Sequence, residues 1–180
     1  MTSKRFPGQL KCAMLLENMN RLYIGLGSNI GDSLAYLADA VKRMEDCFHA
    51  QAVASSVYRS EPVELLEQPW FFNQVVRFEI DGLWKPTKVL KALKTIEEQM
   101  GREKTIRYGP RVIDLDLLLF NNWVFETSGL AVPHLKLEER AFVLLPLVEL
   151  EPEIINPRTG RKLAEIICER AAELSACERI

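Results

Sequence analysis

The chain has 180 residues, 48% hydrophobic and 27% charged, with 23 Lys and Arg against 25 Asp and Glu and a formal net charge of -2. That length suits one domain with its own core, and the composition excludes a disordered chain. The near-neutral balance excludes a broad nucleic-acid surface, so any anion site must be local.

Residues 1–20 contain only one short apolar stretch, Ala13-Met14-Leu15-Leu16, too brief for a signal h-region or a membrane span. They read as a dispensable N-terminal extension, with 21–180 as a single domain. Cys12, Cys47, Cys168 and Cys177 form no C-x-x-C pair, so they read as free thiols of a cytoplasmic protein.

From Arg21 onward strand-like and helix-like runs alternate, the pattern of an α/β or α+β chain. Leu22 to Leu26 reads as a strand ended by the Gly27-Ser28-Asn29 turn. Gly31-Asp32-Ser33 then supplies a cap for a helix in which Leu34, Leu37, Ala38, Val41 and Met44 recur at helical spacing. Ala52 to Ser60 and Phe71 to Ile80 read as strands joined by the long proline-containing loop Glu61 to Trp70. In the second strand, alternation puts Phe72, Val76, Phe78 and Ile80 on one face and Phe71, Asn73 and Val75 on the other. Pro86 suits a first helical turn, Val89, Leu90, Leu93, Ile96 and Met100 form an apolar stripe, and Gly101 ends the helix in a left-handed conformation. A further helix is expected over Lys162 to Leu174.

The chemistry concentrates after Gly101. Asp114 and Asp116 lie two apart inside the apolar run Val112 to Phe120, so on a strand both carboxylates share a face, their Cα atoms roughly 6.5 Å apart. Ile113, Leu115, Leu117 and Leu119 are expected on the opposite face. Two like charges in an apolar strand are costly unless cations neutralise them, and Mg2+, which takes a few carboxylates plus substrate phosphates, is a natural partner. A bare D-x-D is more often an exposed strand end paired with arginines. Here, however, Arg102 to Arg111 carries four positive charges against one negative directly before it, and phosphates held by metal and arginine together explain both features. Gly101 and Gly109 bracket that stretch, as in a lid.

Other signals are weaker. Gly25-Leu26-Gly27-Ser28-Asn29 lacks the third Rossmann glycine and any Walker lysine, and reads as a tight turn. His134, beside Lys136 and Arg140, could donate to a phosphate, although a lone loop histidine is more often structural. Phe71, on the face of Asn73, could stack on a flat heterocycle.

Together these residues resemble one family. Arg107-Tyr108-Gly109-Pro110-Arg111-Val112-Ile113-Asp114-Leu115-Asp116-Leu117-Leu118 is similar to the signature of 6-hydroxymethyl-7,8-dihydropterin pyrophosphokinases. The likeness extends to Ile24 through Asn29, Ser56 through Ser60, Gln68-Pro69 with Phe71 and Asn73, and Val132-Pro133-His134 with Arg140-Ala141-Phe142. It implies an α+β fold, a three-layer α-β-α sandwich related to the ferredoxin-like arrangement, with a mainly antiparallel sheet. It implies pyrophosphoryl transfer from ATP to the pterin, with AMP leaving, in folate synthesis.

By the same resemblance Asp114 and Asp116 hold two Mg2+ ions, and Arg102 and Arg111 bind phosphates and support catalysis. Glu97, Lys104, Leu117, His134 and Arg140 join Arg102 and Arg111 around ATP. Ser60, Val63, Phe71, Asn73, Tyr108 and Phe142, with Asp114, match the pterin pocket. The partners implied are two small molecules, with no nucleic acid, no membrane and a monomeric state. The chain departs from the common pattern at Glu64-Leu65, at Tyr108, at Lys104 and at Gly129, Ala131 and Leu135. A non-catalytic pterin or nucleotide module on the same fold is the main rival, distinguished by whether Asp114, Asp116, Arg102 and Arg111 are all kept. A metal-dependent phosphohydrolase would need further groups to position water, which the segment around Asp114 lacks.

Overall fold

The structure, a computed structural model, describes residues 19–63, 65–103, 109–171 and 177–180. The main elements run β1 (Met19–Ser28), α1 (Ser33–Phe48), β2 (Val53–Ala54), β3 (Tyr58–Ser60), β4 (Phe71–Asp81), α2 (Pro86–Gln99) and β5 (Asp114–Phe120). A small hairpin of β6 (Phe125–Thr127) and β7 (Leu130–Val132) follows, then α3 (Ala141–Leu150), α4 (Leu163–Glu169) and β8 (Cys177–Arg179). The six-stranded sheet has the order β5-β1-β4-β3-β8, with β2 also on β4, and its paired strands are antiparallel. With β1-α1-β3-β4-α2-β5 as its frame this is a ferredoxin-like arrangement, and helices on both faces make it the three-layer sandwich expected from the resemblance.

One face of the sheet is closed. Leu22, Ile24 and Leu26 of β1, Val76, Phe78 and Ile80 of β4, and Leu115, Leu117 and Phe120 of β5 pack against Leu37, Ala40 and Met44 of α1 and Val89, Leu93 and Ile96 of α2. Burying each such side chain contributes roughly 1.5–3 kcal/mol. Asp32 caps α1 by accepting from the Ala35 N–H at 3.1 Å. Gly101 follows α2 at φ 85°, the left-handed conformation expected of it.

Four expectations are corrected. Gly27 and Ser28, read as part of the turn that ends the first strand, are its last residues, paired with Asn73 and Phe72 of β4. Leu34 and Ala38 lie outside the apolar stripe of α1 and are exposed, and Ala40 is buried in it instead. Leu119 does not share a face with Leu115 and Leu117, because a bulge against Tyr23 and Ile24 inserts Leu118 and turns Leu119 to the other side, beside Tyr23 and Val75. The last helix runs Leu163–Glu169, shorter than the expected Lys162 to Leu174, and residues 172–174 of that span lie outside the described residues.

The other face is only half covered. Helix α3 packs Val143, Leu144 and Leu147 on Val75, Leu118 and Leu119, and Leu163 and Ile166 of α4 support it. The end of α3 is tied to the sheet by carboxylates: Tyr58 donates to Glu149 at 2.8 Å and Tyr23 donates to Glu151. Beyond α3 the floor formed by β1, β4 and β5 is open. No helix among the described residues is long and apolar enough to cross a membrane.

Candidate active site

The open half of the sheet forms a cavity of about 400 Å³. Its floor follows from strand alternation. Gly25 and Gly27 project no side chain, and register puts Gly25 opposite Asp116 and Gly27 between Asp114 and Asn73. A Cβ on Gly27 would meet Asn73 Oδ1 at 3.3 Å, so the missing side chain leaves the amide its place.

At one end the lining suits a flat, polar ring. Asn73, 4% exposed, donates from Nδ2 to Ser60 Oγ at 3.0 Å and to the Tyr58 carbonyl at 3.4 Å. No protein donor among the described residues reaches its Oδ1, leaving an acceptor for a ligand N–H. Phe71 and Phe142 line the same cavity, and Val63 stands exposed at its rim.

The other end is charged. Arg102 donates to Asp114 Oδ1 at 2.5 Å and Arg111 to Asp114 Oδ2 at 2.6 Å, one arginine on each carboxylate oxygen. Burial works against ionisation of Asp114, but the two guanidinium groups outweigh it and hold its pKa below the usual carboxylate range. Asp116 has no such clamp. Arg140 stands 4.0 Å away, and burial, with the charge of Asp114 next, pushes its pKa up. Yet 37% of the Asp116 side chain remains exposed, toward the cavity it lines, so its proton or a cation can reach it from there.

Behind this pair stands Glu97. Its side chain is 3% exposed and accepts from the Leu115 N–H at 2.7 Å, from Lys94 at 3.0 Å and from Arg102. Burial raises its pKa, opposed by Lys94. Glu97 therefore pins the start of β5 to α2 and aims Arg102 at Asp114. His134 accepts the Lys136 N–H on Nδ1 at 3.1 Å, which leaves Nε2–H as the donor of the neutral ring, and burial lowers its pKa against the pull of Asp116.

The residues fit an anion with a divalent cation. Lys94, Arg102, Arg111, Lys136 and Arg140 all line the cavity, and Arg111 Nε is buried without a hydrogen-bond partner among the described residues. No group of three or more acidic, His or Cys side chains is placed to hold a metal among the described residues. Asp114 and Asp116 would thus supply two protein ligands, and the remaining positions fall to phosphate oxygens and water, the usual habit of Mg2+.

Of the residues singled out by sequence, Ser60, Val63, Phe71, Asn73, Arg102, Arg111, Asp114, Asp116, His134, Arg140 and Phe142 line this one cavity. Glu97 and Leu117 do not: Glu97 stands behind Arg102, and Leu117 is buried on the closed face of β5. Lys104 and Tyr108 lie outside the described residues. Sequence reasoning missed Lys94, Gln68 and Lys136 as lining residues. The i,i+3 spacing of Lys94 and Glu97 was the available signal for the first.

The fold and cavity define the class: a ferredoxin-like α-β-α sandwich whose half-open sheet carries a ring-sized recess beside paired carboxylates and arginines. The chain belongs to the 7,8-dihydro-6-hydroxymethylpterin-pyrophosphokinase (HPPK) family, whose sequence model matches residues 23–152. It is 35% identical over 159 residues to a 2-amino-4-hydroxy-6-hydroxymethyldihydropteridine pyrophosphokinase of Aquifex aeolicus, covering 88% of this chain and 98% of the relative. A Bacillus subtilis protein of the same name is 43% identical over 144 residues, covering 78% and 84%. A folic acid synthesis protein of Schizosaccharomyces pombe is 39% identical over 146 residues, which is 81% of this chain; the chain spans only 20% of that longer protein. A crystal structure of Plasmodium falciparum HPPK-DHPS superposes with a TM-score of 0.68 over 93% of this chain and 49% of that one, at 17% identity, a likeness of fold.

Proposed function

We propose that this protein transfers the pyrophosphoryl group of Mg-ATP to the hydroxymethyl oxygen of 6-hydroxymethyl-7,8-dihydropterin, releasing AMP, as a step of folate synthesis. The observation that carries this reading is the division of one cavity into an end with a buried amide and aromatic rings and an end with two carboxylates under arginines. The names of the Aquifex and Bacillus relatives, each covered over most of its own length, support the same reaction.

The pterin lies between Phe71 and Phe142, its ring edge donating to Asn73 Oδ1. Arg102 and Arg111 exchange Asp114 for phosphate oxygens, and Arg140 and His134 Nε2–H add donors. On the family resemblance, Lys104 contributes a phosphate contact, Tyr108 a pterin contact and Leu117 part of the nucleotide's surroundings. Glu97 acts on the nucleotide through Arg102. Asp114 and Asp116 would hold Mg2+, two ions by resemblance, which when bound neutralises phosphate charge. The hydroxymethyl oxygen attacks the β-phosphorus, the bond to the oxygen bridging the α- and β-phosphorus breaks, AMP leaves with that electron pair, and the hydroxyl proton passes to water. Catalysis in this scheme rests on alignment and charge neutralisation. We place the enzyme in the cytoplasm, in keeping with the free thiols Cys47, Cys168 and Cys177, and take it as a monomer by the family resemblance.

The test is product analysis with Mg-ATP in the presence and absence of the pterin. Pterin-dependent AMP is expected; ADP, or nucleotide turnover indifferent to pterin, contradicts the proposal.

A further inference from the structure

The segment between β7 and α3 carries three of the cavity's basic side chains, His134, Lys136 and Arg140, and forms neither helix nor strand. Basic groups gathered on one short segment repel when charged, so the fold must hold them in place before an anion arrives. On the inner side Leu137 is 1% exposed in the core beneath α3, and the His134 N–H donates to the Leu118 carbonyl of β5 at 2.9 Å. The outer side is held by Glu138, to which the reaction as proposed gives no task. One oxygen of its carboxylate, Oε1, accepts from Asn156 Nδ2 at 2.6 Å and from Thr159 Oγ1 at 2.5 Å, and its carbonyl accepts from Arg170 at the end of α4.

The donors belong to a turn that is fixed by its own bonds. Asn156 is 4% exposed, its N–H donates to the Arg161 carbonyl at 2.9 Å, and its carbonyl accepts the Gly160 N–H at 2.8 Å. Its Oδ1 accepts the Arg158 N–H at 2.9 Å, which leaves Nδ2 to face the carboxylate. Arg158 pairs in turn with Glu126 of β6 at 3.0 Å, so the turn is also tied to the hairpin that leads into the basic segment.

We infer that Glu138 is a positioning residue for nucleotide binding: it docks the segment from His134 to Arg140 on the turn 156–161, so that its basic groups stand at the charged end before ATP arrives. The inference rests on the proposed function. Ordering a loop and its side chains at the moment of binding weakens affinity, and a segment already ordered by the fold avoids that loss. Neither Glu138 nor Thr159 lines the cavity. Phe142 belongs to α3, which Val143, Leu144 and Leu147 hold on the sheet independently, so the ring end should not feel the change.

The experiment compares wild type, Glu138→Ala, Glu138→Gln and Thr159→Val by the dissociation constants of Mg-α,β-methylene-ATP and of 6-hydroxymethylpterin, each alone, with thermal unfolding and steady-state kinetics alongside. Glu138→Ala should weaken the nucleotide analogue on the order of tenfold, short of the roughly hundredfold that a 1 Å misplacement can cost. The pterin constant, and kcat at saturating ATP, should stay as they are. Glu138→Gln keeps an oxygen acceptor in the same place and should recover most of the loss, which a role in packing alone would not explain. Thr159→Val removes one donor at an exposed position and should weaken the analogue about threefold with unfolding unchanged. Added to Glu138→Ala it should change nothing further, because its bond is already gone. Should Glu138→Ala fail to fold, Thr159→Val alone decides. A wild-type nucleotide constant in the deciding variant, no recovery with Gln, or equal weakening of both ligands overturns the inference alone. A wild type that binds neither ligand overturns the functional reading with it.

Discussion

On β1, Leu22, Ile24 and Leu26 face α1 and α2 and are 0–3% exposed, whereas Tyr23, Gly25 and Gly27 face α3 and the cavity. Strand β4 divides the same way, with Val76, Phe78 and Ile80 in the closed core and Asn73 and Phe71 on the open side. The two faces share their backbones, so the period of two in a strand is enough to build a core and a binding floor from the same residues' neighbours. The closed face should therefore govern stability, the open face kinetics, and substitutions one residue apart should separate the two.

The largest effect is expected at Asp116. Replacing it with Ala should lower turnover by roughly 10³-fold, the scale of removing a main electrostatic group, without loss of fold; full activity would sink the metal assignment. Asp116→Asn adds a pH signature in metal-free buffer. Burial raises the pKa of Asp116 in the folded protein, so its stabilising contribution is present below the ordinary value of 3.8 and is lost as pH rises through the raised one. The variant should thus match the wild type in acid and grow more stable than it toward neutrality, as followed by thermal unfolding.

On the closed face, Ile24→Ala should cost about 3 kcal/mol in urea unfolding and leave both KM values as they are, which tests the separation from the other side. Asn73→Ala should raise KM for the pterin roughly thirtyfold, about 2 kcal/mol for a lost buried hydrogen bond, while KM for ATP stays. The smallest effect is expected of Gly27→Ala. Its new Cβ would meet Asn73 Oδ1 at 3.3 Å, and the displaced amide should weaken pterin binding about fivefold, roughly 1 kcal/mol. A pterin KM equal to wild type would show that the floor has more room than its register implies.

Much of this division could be read from the chain. The alternation in Phe71 to Ile80 showed both faces of β4, and the D-x-D spacing put two carboxylates on one side because strand geometry leaves no other choice. The apolar stripe and terminal Gly101 marked α2 for equally local reasons. What stayed hidden was what only tertiary pairing decides. The bulge that turns Leu119 depends on β1 lying beside β5. Glu97 was placed around ATP by resemblance alone, and its buried position among Lys94, Arg102 and the Leu115 N–H is set by α2 lying against β5. Asn29 read as a turn residue because its partners Gln68 and Arg111 are 39 and 82 positions away. The short strand β8 depends on Tyr58, Arg59 and Ser60 as its neighbours, and three residues carry no periodic signal of their own.

The central claim, that both ends of the cavity serve a single transfer from ATP to a pterin, is tested most directly by following the label of ATP marked at its β-phosphorus. The account predicts label in the pterin product and none in the mononucleotide released. Label retained in ADP, with a singly phosphorylated pterin or none, would contradict it.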